Sequence, residues 1–148
     1  ARVRHRNESF LRRFTLKFVP GLVDNAELVD LCGIVSSLSQ FDMYCEEVFD
    51  LAVDRLAASA PLMDLKQISF VANAYVRARH PDAKLFRALL KQVPRRLANC
   101  SGKEAAVLLN ALAQLPGLGR EGRRLEHERL EPEELRPALE AVALRLPD

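Results

Sequence analysis

The amino-acid sequence predicts an all-α protein, an α-solenoid of about three antiparallel helix pairs with a 37-residue period. Three observations carry that expectation. The segments DNAELVDLCGIVSSLSQF, MDLKQISFVANAYVRA and CSGKEAAVLLNALAQL superpose without a gap, setting Leu31 on Ile68 and Ala105, and Leu38 on Tyr75 and Leu112, at steps of 37. Within each segment the apolar residues recur every three or four positions, the stripe of an amphipathic helix, and no alternating strand pattern competes with it. Trp is absent and Tyr occurs only twice, so the core has to come mainly from Leu, Val and Ala, a mixture that favours helices.

Residues 1–23 are expected to form a basic N-terminal arm. Its Phe10, Leu11, Phe14 and Phe18 share a helical face that should pack on something, leaving Arg2 to Arg6 free to reach outward. Residues 24–115 are the helical-repeat domain. Val48, Phe49, Ala52, Val53 and Leu56 make the second helix of the first unit. Asp64 and Ser101 stand at equivalent places, where a side-chain oxygen can accept from a free N–H of the next helix's first turn. Pro81 and Asp82 open a helix bearing Leu85, Phe86, Leu89, Leu90 and Val93, and Pro94 ends or kinks it because proline removes a hydrogen bond. Pro116 and Gly117 predict a helix stop, followed by a charged loop over 116–132. A capping helix closes the stack within 133–148, opening near Pro137 with Ala138, Leu139, Val142, Ala143 and Leu146 inward.

Several function classes are disfavoured. No run approaches the roughly 18 apolar residues of a membrane span. Cys32, Cys45 and Cys100 are odd in number and widely spaced, against both a disulfide framework and a metal site, so buried thiols in a reducing compartment are expected. Gly117, Gly119 and Gly122 match a G-x-G-x-x-G spacing, but neither the preceding strand nor the following helix of a dinucleotide site is present. His5, His80 and His127 lie in unlike contexts without a paired nucleophile, so neither a catalytic residue nor a cofactor or small-molecule substrate is expected.

The net charge of +2 conceals a partition. Residues 1–17 carry Arg2, Arg4, Arg6, Arg12, Arg13 and Lys17 against Glu8; residues 24–64 carry nine acids against Arg55; residues 77–103 carry eight bases against Asp82. Lys84, Arg87, Lys91 and Arg95 fall at helical spacing on one face, and Arg77, Arg79, Arg96 and Lys103 extend the patch. Such a row either follows a phosphate backbone with counterion release or is a solvated helix face. No aromatic interleaves it, so base stacking is not expected there. Asn73 and Asn110, with Ser36 at the equivalent site, form either a ladder toward bases or an extended peptide, or buried amides bonding backbone between helices. The Arg-rich, acid-poor start is expected to be what remains when a longer precursor is trimmed, the inner end of an organellar targeting sequence, or an artificial boundary.

The motifs LKQISFVANAYVRA, LCGIVSSL and AVLLNAL, followed by the second-helix run DAKLFRALL, resemble the organellar helical-repeat proteins. The 37-residue period is closest to the heptatricopeptide repeats, with octotricopeptide and FAST-kinase-like repeats as relatives, and the resemblance covers about residues 24–115. It implies paired-helix repeats, mitochondrial or plastid residence and work on organellar RNA. Barely three units and no terminal RAP domain favour a subunit role over independent RNA processing. The expectation is therefore a structural RNA-binding subunit of a ribonucleoprotein in the mitochondrial matrix, the mitochondrial ribosome first, with neighbouring protein subunits covering its ends. The alternative is a protein-only scaffold of a respiratory or ATP-synthase assembly.

Overall fold

The computed structural model describes residues 8–41, 43–99, 101–118, 130 and 132–144, with the side chains of 8–12, 14, 99 and 116–118 left out. Among these residues the chain is all-helical, without a strand. In order come α1 (Glu8–Asn25), α2 (Leu28–Gln40), α3 (Glu46–Ser59), α4 (Leu65–Arg77), α5 (Ala83–Leu90), α6 (Val93–Arg96), α7 (Gly102–Leu118) and α8 (Pro132–Ala143). Short 3-10 turns at Ala60–Leu62 and Leu97–Asn99 follow α3 and α6. Helices α2, α4 and α7 pack side by side, and α1, α3, α5 and α8 pack in a second row, with α2 on α3, α4 on α5 and α7 on α8 joining the two.

Local chemistry sets where these helices start. Asp64 accepts from the Gln67 N–H at 2.7 Å while the Gln67 side chain accepts from the Asp64 N–H at 3.0 Å, a reciprocal capping box. Ser101 and Glu104 repeat the exchange at 3.3 and 2.9 Å. Asp82 caps α5 through the Leu85 N–H at 2.9 Å. Pro94 lies in the first turn of α6, where no N–H partner is needed, and the preceding helix ends at Leu90. Asp64→Ala is expected to lower unfolding free energy by about 1 kcal/mol, measured by chemical denaturation.

The core runs between the two rows. Leu31, Ile68 and Ala105 are all buried there. Tyr75 is enclosed at 0% exposure, packs edge-on against Phe49 with ring centroids 5.0 Å apart, and donates its hydroxyl to the Phe49 carbonyl at 2.8 Å. Burial, with Asp82 and Asp50 adding, pushes the Tyr75 phenol far above its usual pKa, so it remains a donor. Cys32 and Cys45 are buried and free, and burial, with the Asp64 carboxylate second, pushes the Cys32 thiol up to about 11. Cys100 lies outside the described residues.

Four expectations need correction. The basic arm does not end at residue 23: from residue 8 the chain is the helix α1, which runs to Asn25. Pro20 inside it argues against a helix from sequence alone, since an interior proline costs about 3 kcal/mol. Tertiary contacts offset this: Thr15, Val19 and Val23 are buried, and Arg55 of α3 donates to the carbonyls of Val23 and Ala26 at the helix's end. Second, of the residues expected to pack inward here Phe18 is 51% exposed, while Thr15, Val19 and Val23 are buried; the side chains of Phe10, Leu11 and Phe14 lie outside those described. Third, α7 continues through Pro116 and Gly117 to Leu118, the proline forgoing one bond near the helix end. Fourth, α8 opens at Pro132, so Pro137 is its sixth residue and forgoes one i→i−4 bond inside it. Leu135, Ala138 and Val142 face inward from it.

One turn is unusual. Arg79 has φ 54°, the sole positive value among described non-glycine residues. It closes α4: the Arg79 N–H reaches the Val76 carbonyl at 3.0 Å and the His80 N–H the Tyr75 carbonyl at 2.9 Å. Glycine is the usual occupant of such a left-handed position, and a side chain there costs roughly 1–2 kcal/mol.

Candidate nucleic-acid interface

The basic row of α5 is exposed, but its charges turn to neighbouring helices. Lys84 Nζ meets Asp54 Oδ1 of α3 at 2.7 Å, and Arg87 Nε meets Glu134 Oε1 of α8 at 2.6 Å, with a second Arg87 bond to that carboxylate at 3.3 Å. The Asp54 carboxylate raises the Lys84 pKa by hydrogen bond and by charge. Further along, Arg96 donates to the Pro61 carbonyl at 2.6 Å, whereas Lys91 and Arg95 are exposed. The acids of residues 24–64 thus answer part of the basic segment within the chain itself. Sequence reasoning missed this because the charged partners lie 30 and 47 residues apart.

A second concentration of polar groups lies on the other row. The outward side of α4 carries Lys66, Phe70, Asn73 and Arg77, and that of α7 carries Lys103, Val107, Asn110 and Gln114, positions offset by 37. Asn73, Arg77, Lys103, Asn110 and Gln114 line one open cleft of about 460 Å³, together with Ala106 and Val107. Asn73 is half-buried and Asn110 exposed. Gln114 donates to the Asn110 backbone carbonyl at 3.2 Å, and on α2 Gln40 donates to the Ser36 hydroxyl at 3.3 Å. The amides therefore border a surface rather than a sealed interior. Phe70 is 41% exposed with Lys66 Nζ 5.9 Å from its ring centre, so this face has an aromatic that the α5 row lacks.

No family model, curated protein or solved structure matches the chain.

Of the arm residues, Arg2, Arg4 and Arg6 lie outside the described residues, Arg12 and Arg13 stand on α1, and the Arg13 side chain is exposed. Gly119 and Gly122 of the glycine motif also lie outside them, while Gly117 belongs to α7. No helix among the described residues is long and apolar enough to cross a membrane.

A polar cluster that sequence alone did not assemble surrounds His80, which is 8% exposed. Its Nε2 contacts Asp50 Oδ1 at 2.9 Å and its Nδ1 contacts the Tyr44 hydroxyl at 2.8 Å. In the tautomer that carries its hydrogen on Nε2, the ring donates to the carboxylate and Nδ1 accepts from the Tyr44 hydroxyl. Both ring nitrogens are thereby engaged, and the cluster ties the α2–α3 connection and α3 to the turn after α4. The rings of Phe49 and Tyr75 lie 6.0 and 6.1 Å from the imidazole.

Proposed function

We propose that this chain is a short α-solenoid of about three helix pairs with a 37-residue period that binds RNA as a structural subunit of an organellar ribonucleoprotein. The observation that carries the reading is the α4–α7 cleft, where two cations and three amides border one open surface. Arg77 and Lys103 suit phosphate oxygens; Asn73, Asn110 and Gln114 present both donors and acceptors, as ribose hydroxyls and base edges require. The aligned segments support the repeat, and the capping boxes at Asp64 and Ser101 recur at the same interval. Resemblance to organellar helical-repeat proteins supports the mitochondrial matrix, with the plastid as its alternative, and the mitochondrial ribosome as the first assembly to test.

In this reading the principal RNA contact moves from the α5 row to the cleft, with Lys91, Arg95 and the α1 bases as secondary contacts. The test is titration of purified full chain into labelled single-stranded RNA over a range of salt. Affinity should fall with salt, with a log–log slope of roughly −0.7 per phosphate contacted. Absence of saturable binding at low salt would defeat the proposal. The Lys84–Asp54 and Arg87–Glu134 pairs favour a second reading, a protein-only scaffold in a respiratory or ATP-synthase assembly, because they spend the most concentrated basic face on protein carboxylates. That reading requires the native particle to contain no RNA, which its ultraviolet absorbance ratio decides.

A further inference from the structure

The turn that ends α4 combines two features. Its backbone adopts a conformation suited to glycine, yet the residue there is Arg79. Its guanidinium is exposed and, among the described residues, finds no hydrogen-bond or ion-pair partner, so the fold gains nothing visible from that side chain. The turn is also held firmly: the next residue, His80, is fixed through its backbone N–H to Tyr75 and through its ring to Asp50 and Tyr44. Arg77, two residues earlier, lines the cleft.

We propose that Arg79 is a phosphate-contacting residue beyond the end of the α4–α7 cleft, presented by a rigid turn whose unfavourable backbone is tolerated because the guanidinium meets the RNA backbone leaving the cleft. This rests on the RNA-binding reading above and adds a contact to it. A locked turn suits the task, because a side chain based on a fixed backbone loses less freedom on binding. Arginine also offers a planar fork that grips phosphate in two bonds, which lysine cannot imitate fully.

Arg79→Gly tests the assignment, since glycine is at home at this φ and the variant removes the guanidinium while the His80 contacts to Tyr75, Asp50 and Tyr44 that hold the turn remain. With fluorescein-labelled oligouridylate and the full chain, Arg79→Gly should weaken binding about fivefold at low salt and reduce the salt slope by roughly 0.7. Its melting midpoint should stay unchanged or rise, by up to about 4 °C. Arg79→Lys should recover most of the slope but only part of the affinity. An Arg79→Gly protein with wild-type affinity and slope overturns the proposal, while loss of binding on reversing Arg77 and Lys103 in the same assay would leave the cleft reading standing. If the wild-type chain itself fails to bind the oligonucleotide, both fall together.

Discussion

Phe49→Ala is expected to lower unfolding free energy by about 3–5 kcal/mol, a large share of the roughly 5–15 kcal/mol available to a domain of this size. Phe49 is fully buried and touches the rings of Tyr75 and Tyr44, with centroids 5.0 and 5.6 Å away, so its removal leaves a cavity beside the largest side chains of the core. Its carbonyl also accepts the Tyr75 hydroxyl, and relaxation into the cavity would disturb that bond, leaving a buried donor poorly paired. The melting midpoint should fall by about 10–15 °C, read by circular dichroism. Phe49→Leu, which retains most of the volume, should cost less than half as much. Leu51→Ala on the same helix, where the side chain is 41% exposed, should shift the midpoint by no more than about 2 °C. Equal effects at Phe49 and Leu51 would contradict the packing described for α3.

The largest functional effect is expected from reversing the two cations of the cleft. Arg77→Glu with Lys103→Glu replaces two phosphate attractions with two repulsions, so affinity for single-stranded RNA should fall by about 30- to 100-fold near physiological salt. The salt slope should flatten by roughly 1.4, twice the contribution of one single-strand contact. Both side chains are exposed, so the fold should survive, and Arg77→Gln with Lys103→Gln provides a check with no added negative charge. Reversal of Lys84 and Arg87 makes the informative contrast. It sets Glu against Asp54 and Glu134, disturbing the α3–α5–α8 row, and should affect RNA much less than the cleft variant does. A greater loss from the α5 variant, in protein shown to be folded, would place the interface on the opposite row.

What could be read in advance was mostly local. Asp64, Ser101 and Asp82 mark helix starts because a cap involves residues three apart, and Pro94 marks a break because proline lacks a donor wherever it stands. The burial of Leu31, Ile68 and Ala105 was legible from periodicity. The continuation of helix α1 through Pro20 to Asn25 was not, because Pro20 and Gly21 speak against it locally and its support comes from Arg55, about thirty residues downstream. The site was half-legible for a similar reason. Sequence spacing shows that Lys84 and Arg87 share a face, but which helix borders that face is decided by packing, and Asp54 and Glu134 arrive from two different elements. Asn73 and Asn110 were visible as an equivalent pair; their place beside Arg77 and Lys103 emerges only when α4 and α7 lie together. His80 was visible only as an isolated histidine, because Tyr44 and Asp50 reach it from 36 and 30 residues away.

The ion pairs across α3, α5 and α8 have a consequence for assembly errors. Glu47, Asp50 and Asp54 of α3 stand 37 positions before Lys84, Arg87 and Lys91 of α5, so two otherwise similar helices carry opposite signs at matching places. A misfolded arrangement that set α3 beside the α3 of another chain would bring acid against acid, and one that paired two copies of α5 would bring base against base. The alternation of acidic α3, basic α5 and Glu134-bearing α8 brings complementary charges together. The row thereby acts as an address label for neighbouring elements: apolar stripes alike enough to be exchanged are told apart by the charges along their margins.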